Sequence, residues 1–416
     1  MHDPATIGAE QIARAREAGA GHVRNTPVLT SRTIGERCGG EVVLKAENLQ
    51  RTGSFKLRGA LAKLAALGDA CRAGVVTASA GNHAQSLAYA ARAYGVPCEV
   101  FMPSDASTAK TDSAAALGAT VNHVEGGFDE CLEAAEERAR DGGLAFVHAF
   151  DDSDVVAGQA TLGLELLEGI PRLARVVVPV GGGGLASGVA IAVKSARPDV
   201  DVVGVQVEGC APFPASLERG EPVPASSALT IADGIAVKRP GGLTLPLIRE
   251  WLDGVAVVSE DSVAEAMIAL MERAKLVVEG AGAVGVAALL DGRVDPAADG
   301  VTAVVLSGGN VDAGLLATVA RRHETESGRR FVILTRISDR PGGLAALLTR
   351  VAAAGANLVE VSHVREGLDL HVRETAVELV LETRGRDHSD EIVRTLEEAG
   401  YSTGVVRTEP GNPRPA

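Results

Sequence analysis

Between Glu41 and Asn310, seven apolar runs rich in β-branched residues alternate with stretches of helical spacing. "EVVLKAEN", "GVVTAS", "PCEVFMP", "TVNHVEG", "RVVVPVG", "DVVGVQVEG" and "TAVVLSGGN" read as strands. "GALAKLAALGDA", "NHAQSLAYAARAYG", "FDECLEAAEERARDGG", "LASGVAIAVKSARP" and "SVAEAMIALMERA" read as helices, after an opening helix at "GAEQIARAREAG". Strands that are apolar on both sides need cover on both faces, and parallel neighbours need a crossover long enough to hold a helix. The alternation therefore predicts an α/β fold built on parallel sheet, and 416 residues are too many for one small core.

The order of elements changes after "ARRHETESGRR", residues 320–330. We read an α/β part at 1–322, with a smaller lobe at about 60–145 within it, then a charged, turn-rich linker at 323–330 and a module at 331–407. In the module, strands at Phe331–Ser338, Asn357–Arg365, Thr375–Arg384 and Tyr401–Arg407 and helices at Gly343–Ala354 and Ser389–Ala399 spell βαββαβ, a ferredoxin-like order.

Charge and cysteines exclude several classes of function. The formal net charge is -14 and the arginines are scattered, so there is no basic stripe to track phosphates and no nucleic-acid partner is expected. No apolar run approaches the ~18 residues of a membrane span, and the N-terminus has no signal-peptide core. The five cysteines, at 38, 71, 98, 131 and 210, form no C-x-x-C pair. That argues against a disulfide framework or a zinc site and predicts a cytoplasmic protein with no metal centre.

Four motifs could carry chemistry. The chain has only seven lysines, and one of them, Lys56, sits in "ENLQRTGSFKLRGA". A lone lysine on a first helical turn is ordinarily a surface residue. Here Gly53 permits a tight backbone and Phe55 offers an apolar face, the setting of a desolvated amine suited to a Schiff base or to general base catalysis. The second motif, "VPVGGGGLASGVAIAV", puts four glycines between strand and helix, which makes little sense as packing but suits an anion at a helix N-terminus. A P-loop would need a following lysine, which is absent. Gly181, Gly183 and Ala186 also fit the loose dinucleotide spacing, with Asp199 and Asp201 downstream, although that fingerprint usually opens a domain. The terminal phosphate of a compact cofactor fits best. The third, "TASAGNHAQS", brings Ser79, Gly81, Asn82 and His83 to a helix start, either as plain capping or as a cradle for a carboxylate. The fourth, "VVLSGGN", places Ser307 at the C-terminal end of a strand, where ligands of open α/β sheets bind.

In this order and spacing, the motifs resemble those of threonine ammonia-lyases (threonine dehydratases), fold-type-II pyridoxal-phosphate (PLP) enzymes. "SFKLRGA", "SAGNHAQ", "GGGGLASG", "ADGIAVKRPG", "EGAGA" and "SGGN" carry the likeness over about residues 5–320. The tail, with "DRPGGLAALLTRVAAAGANLVEVSHVR", resembles an ACT regulatory domain. The resemblance implies a two-lobed, tryptophan synthase β-like catalytic domain followed by the βαββαβ module.

It also implies roles for individual residues. Lys56 would hold PLP covalently, Phe55 would lie against its ring, and Gly234 would leave room on the other face. Asn82 would bond the ring hydroxyl, Gly181, Gly182, Gly183, Gly184 and Leu185 the phosphate, and Ser307 the pyridine nitrogen. Ser79 and the N–H groups of Ala80, Gly81, Asn82 and His83 would hold the substrate carboxylate, with Glu279 nearby. Freed by the substrate amine, Lys56 would take the Cα proton, water would leave from Cβ, and hydrolysis would give 2-oxobutanoate and ammonia. Serine would give pyruvate by the same route, and a pocket discriminates one methyl by only about 1–3 kcal/mol, so the preference stays open.

Two departures matter. Ala80 stands where related racemases carry a serine, which predicts weak racemisation. Pro214 stands where metal-dependent relatives carry a second carboxylate after the position of Glu208, which puts a magnesium site in doubt. Serine at position 86, glycine in many relatives, has no reading from sequence. In the module, Asp339, Pro341, Gly342, Gly343 and Asn357 are the expected contacts for an amino acid effector, with Gly342 and Gly343 offering N–H groups. A homodimer or homotetramer is expected.

Overall fold

The computed structural model describes residues 7–365 and 371–405. Two compact units divide after Asp312.

The first unit holds two sheets. Six strands follow the order Val28–Thr30, Val42–Ala46, Val301–Leu306, Leu173–Pro179, Asp201–Val207, Gly254–Val258. All neighbours are parallel except the edge pair of Val28–Thr30 and Val42–Ala46. Val42–Ala46 and Val301–Leu306 are buried at every residue, as strands covered on both faces must be. The second sheet is wholly parallel, in the order Thr120–Val124, Cys98–Pro103, Val75–Ala78, Ala145–Phe146.

Each sheet has its own core. Val176, Val178, Val189, Phe213 and Ile248 belong to the first, and Leu57, Leu61, Val75, Leu87, Val100 and Val147 to the second. The helices Ser153–Gly169 and Gly184–Ala196 pack backbone to backbone: a Cβ on Gly188 would come within 2.5 Å of the Val156 carbonyl.

Three strands escaped the sequence reading: Val28–Thr30, Ala145–Phe146 and Gly254–Val258. All three end their sheets, where a partner on one side suffices and the apolar signal is short. The helix expected at "SVAEAMIALMERA" is α only over Glu260–Ala269 and continues as a π turn, Leu270–Ala274. That turn is closed by Lys275 with φ 61°, the only non-glycine residue at positive φ among the described residues. No helix among the described residues is long and apolar enough to cross a membrane.

The second unit has an antiparallel sheet in the order Asn357–Val364, Glu374–Glu382, Arg330–Ser338, Thr403–Val405. With helices Gly343–Ala353 and Arg386–Glu398 it is a βαββαβ module around Ile333, Leu347, Val351, Val377, Leu379 and Ile392. The boundary differs from the expected one. Residues 323–326 finish a helix, Ala313–Glu326, that belongs to this unit, so the charges at 320–326 mark an exposed helix face rather than a linker. The Arg386–Glu398 helix begins one turn before the expected Ser389, because Gly385 at φ 133° supplies its start. Positions 406 and 407 of the last predicted strand lie outside the described residues.

Candidate active site

The loop before Lys56 is held against the end of a sheet strand. Phe55 N–H donates to the Ser307 carbonyl at 3.0 Å, Ser54 bridges to Gly308, and Gly309 N–H donates to the Gly53 carbonyl at 2.9 Å. Gly53 takes φ 72°, a left-handed turn that aims the chain into the Lys56–Leu67 helix. Two residues on, Arg58 is 2% exposed and fixes that helix to the large sheet. It donates to both oxygens of Glu47 at 2.8 Å and to Glu165 at 2.7 Å, while Lys45 completes the cluster on Glu165 at 2.6 Å.

Lys56 Nζ donates to the Ala149 carbonyl at 2.8 Å and lies 5.4 Å from the centre of the Phe55 ring. The residue keeps some exposed surface, but its amine is enclosed, and burial pushes its pKa down to about 8 against the pull of Glu279. The same cavity is lined by Phe55, Asn82, Gly234, Glu279, Ser307 and the segment Gly181–Leu185. Ser307 is buried, and the Gly184–Ala196 helix begins there with no side-chain cap on its first-turn N–H groups. Asn82 donates to Glu279 at 2.8 Å and accepts from Asn310 at 2.7 Å. Burial, and then the charge of Asp233, raise the Glu279 pKa to about 7. Asp233 is itself paired with Lys110 of the smaller lobe at 2.7 Å.

The structure corrects several expectations. The four glycines are demanded by packing as well as by any ligand. A Cβ on Gly182 would fall 2.3 Å from the Phe150 ring, one on Gly184 2.9 Å from the Phe150 carbonyl, and one on Gly181 3.1 Å from Ile235. Gly183, at φ 98°, needs glycine for its backbone alone. Gly234 lines the cavity, and a Cβ there would meet Ala281 at 2.9 Å and Glu279 at 3.2 Å. Ser79, Ala80, Gly81 and His83 stand outside the lining of this cavity, at the start of the adjoining Asn82–Tyr94 helix. Gly81 N–H already donates to Ser79 Oγ at 3.2 Å, which removes one donor from the expected cradle.

His83 is no base. Its Nε2 lies 3.1 Å from the Val147 carbonyl, and burial with the nearby Lys56 charge drives its pKa down to about 3. Ser86 now has a reading, since its buried hydroxyl lies 3.1 Å from that of Thr52, in the loop that delivers Lys56. Sequence reasoning missed Ala149, Phe150, Asp151, Gln159, Thr244 and Asn310. Gln159 is 1% exposed and reaches the cavity wall with Oε1 unpartnered. Its position in a helix of apolar residues was the one available signal. Around Glu208, the described residues assemble no cluster of three or more metal-ligating side chains.

In the second unit the expected effector residues do not converge. Asn357 pairs in register with Glu382, and its amide donates to that carboxylate at 2.8 Å. Asp339 follows Ser338, which pairs with Glu374 at the opposite end of the sheet. An eight-residue strand of roughly 3.3 Å per residue separates the two places. Gly343 N–H is spent on the Arg340 carbonyl at 3.0 Å, while Gly342 caps the Gly343–Ala353 helix at φ 90°. Asp339 faces Arg365 at 3.4 Å.

The cavity of the first unit fits an aromatic aldehyde that carries a phosphate. An enclosed amine of lowered pKa suits the aldehyde, an uncapped helix N-terminus the phosphate, and a buried serine hydroxyl a ring nitrogen. Comparison with known proteins agrees. The sequence pattern of the family described as "Pyridoxal-phosphate dependent enzyme" matches residues 20–308. The L-threonine ammonia-lyase of Thermotoga maritima is 45% identical over 96% of this chain and 100% of its own length. The catabolic L-threonine dehydratase TdcB of Escherichia coli K12 is 41% identical over 75% of this chain and 96% of its own. Among solved structures, the T.th. threonine deaminase superposes with a TM-score of 0.69 at 41% identity, over 73% of this chain and 99% of that one. The serine racemase of Dictyostelium discoideum gives 0.69 at 38%, over 73% and 98%. The chain belongs to the pyridoxal-phosphate dependent enzyme family.

Proposed function

We propose that the protein is a threonine ammonia-lyase, converting L-threonine to 2-oxobutanoate and ammonia with PLP held at Lys56. The observation that carries this reading is one cavity shared by the Lys56 amine, the Gly184–Ala196 helix start and Ser307. Relatives named for threonine, at 41–45% identity, support the substrate. Bound PLP supplies the electron sink that weakens the Cα–H bond. Lys56, with a pKa of about 8, can hold the cofactor and, once released, exchange a proton at Cα near neutral pH. The N–H groups of Gly181–Leu185 would hold the phosphate, with the helix dipole behind them. Ser307 would meet the ring nitrogen with a neutral hydroxyl, Phe55 would lie along the ring, and Asn82 would bind the ring hydroxyl. Glu279, poised near pH 7 beside Asn82, can keep or give up a proton there. Ser79 and the remaining N–H groups of the Asn82–Tyr94 helix start receive the substrate carboxylate.

The test is ketoacid and ammonia release from L-threonine and L-serine. Lys56→Ala should abolish both while leaving the far-ultraviolet dichroism intact. Near-wild-type ketoacid production by that variant would refute the assignment. L-serine should also turn over, because one methyl separates the two substrates.

The second unit is an ACT-like regulatory module, and the protein acts as a homodimer or homotetramer in the cytoplasm. The amino acid effector binds at the Asp339–Gly343 turn, away from Asn357 at the other end of the same sheet. The βαββαβ order supports this reading. A rate response and a binding heat with isoleucine, valine or another common amino acid would distinguish a regulatory module from one that serves only in association.

A further inference from the structure

We infer that Thr244 and Asp151 are positioning residues that orient the phosphate-binding segment. The inference rests on the reading of Gly181–Leu185 as the phosphate site. Thr244 is 0% exposed and is not part of the cavity wall, yet its Oγ1 donates to the Gly182 carbonyl at 2.6 Å. The Gly182–Gly183 peptide is trans, so its C=O and N–H point in opposite directions. Drawing the carbonyl onto Thr244 turns the Gly183 N–H to the cavity side. Gly183, at φ 98°, has no side chain to hold that plane. The hydroxyl does so from outside, and with its single proton spent on a carbonyl Thr244 is a support rather than a phosphate ligand.

Thr244 is placed in turn by Asp151. One Asp151 oxygen accepts from Leu243 N–H at 3.0 Å and Thr244 N–H at 3.1 Å, and the other from Gly242 N–H at 3.0 Å. These are donors at the start of the Thr244–Trp251 helix, whose adjacent residue, Leu243, offers no capping oxygen. A carboxylate 92 positions away in sequence caps the helix instead. The fit is close, since a Cβ on Gly241 would fall 2.0 Å from Asp151 Oδ1. Asp151 also belongs to a short segment that touches both the Lys56 amine and the glycine segment. Ala149 accepts from Lys56, and Phe150 packs on Gly182 and Gly184. His148 Nδ1 takes the N–H groups of Phe150 and Asp151 at 3.2 and 2.8 Å. The amine and the phosphate segment are thereby referred to one stretch of backbone.

The test compares dissociation constants for PLP and for pyridoxal, which lacks the phosphate, on cofactor-free protein. Wild type should prefer PLP strongly. Thr244→Val keeps the shape but leaves the Gly182 carbonyl unpaired. It should weaken PLP about tenfold or more, leave pyridoxal within about twofold, and so shrink the preference. Thr244→Ser should restore it. A purely structural role would lower the melting temperature without changing the PLP-to-pyridoxal ratio. A wild-type ratio in folded Thr244→Val, or a Thr244→Ser protein as weak as the valine variant, overturns the inference. If Thr244→Val does not fold, Asp151→Asn takes its place, and an unchanged ratio there overturns it equally. No preference for PLP in wild type would instead bring down the phosphate-site reading, and this inference with it.

Discussion

Arg58→Met should be among the most damaging single substitutions outside the cavity, and the damage should depend on pH in a particular direction. Arg58 and Lys45 face Glu47 and Glu165 in a neutral cluster, with Arg58 2% and Glu47 0% exposed. Removing Arg58 leaves Glu47 with a single short contact, the Thr26 hydroxyl at 2.5 Å. Stranding a buried charge in this way costs about 3–5 kcal/mol. In the intact protein, burial alone would raise the Glu47 pKa, but the charge and hydrogen bonds of Arg58 outweigh it and hold the carboxyl below the usual range. A depressed pKa contributes stability above the unfolded value of about 4.3, which is lost as pH falls through the folded value. In Arg58→Met the sign should reverse, because burial is then opposed only by the Thr26 hydroxyl and the Lys45 charge, and folded Glu47 should bind a proton more readily than the unfolded chain does. The deficit relative to wild type should therefore be largest near pH 8 and shrink toward pH 5. Denaturant midpoints at both pH values, at one fixed PLP concentration, measure it. Adding Glu47→Leu should recover part of the loss. A deficit below about 1 kcal/mol, or one that does not change with pH, would show that the cluster does not anchor the Lys56 helix as argued.

Other outcomes follow from the same geometry. Gly182→Ala drives a methyl into the Phe150 ring and should cost about 1–3 kcal/mol, with weaker PLP binding partly restored by Phe150→Leu; calorimetric titration measures both. With the Lys56 pKa at about 8, PLP capture by the cofactor-free protein should accelerate with pH and level off above 8, not above 10, in stopped-flow absorbance. Ending the chain after Asp312 should preserve threonine turnover and remove any response to branched-chain amino acids, in steady-state assays with and without effector. Ala80→Ser should raise D-serine formation from L-serine above the parent level, read by chiral chromatography.

What was legible in the sequence was whatever a local pattern enforces. Val42–Ala46 and Val301–Leu306 announce themselves because a strand covered on both faces is apolar at every position. The βαββαβ module was legible because each helix and strand carries its own period. Edge strands such as Ala145–Phe146 were not, since two residues hold no period and the neighbour alone makes them strand. Lys56 and Ser307 could be singled out from their surroundings, but their meeting could not. It depends on Phe55 and Gly53 bonding across the chain to Ser307 and Gly309. Asn357 failed for the reciprocal reason: closeness in sequence to the Asp339–Gly343 turn says nothing once an intervening helix and the sheet register send it to the other end.

The glycine segment shows how such a misreading arises and what it hides. Four glycines make little sense as packing in the sequence, and a loop left loose would lose backbone freedom when an anion bound, weakening it. In the folded chain that freedom is already gone. Gly182 and Gly184 are closed against Phe150, Gly181 against Ile235, and the Gly182 carbonyl is fixed by Thr244. Each restraint comes from a residue more than thirty positions away in sequence, so no window around the glycines contains it. Its ordering cost falls on folding rather than on cofactor binding, and the large packed sheet can bear it. The absence of side chains is therefore a condition for the close approach of Phe150 and Ile235 to the segment. A glycine run that makes little sense as packing when read from sequence is here closed by packing.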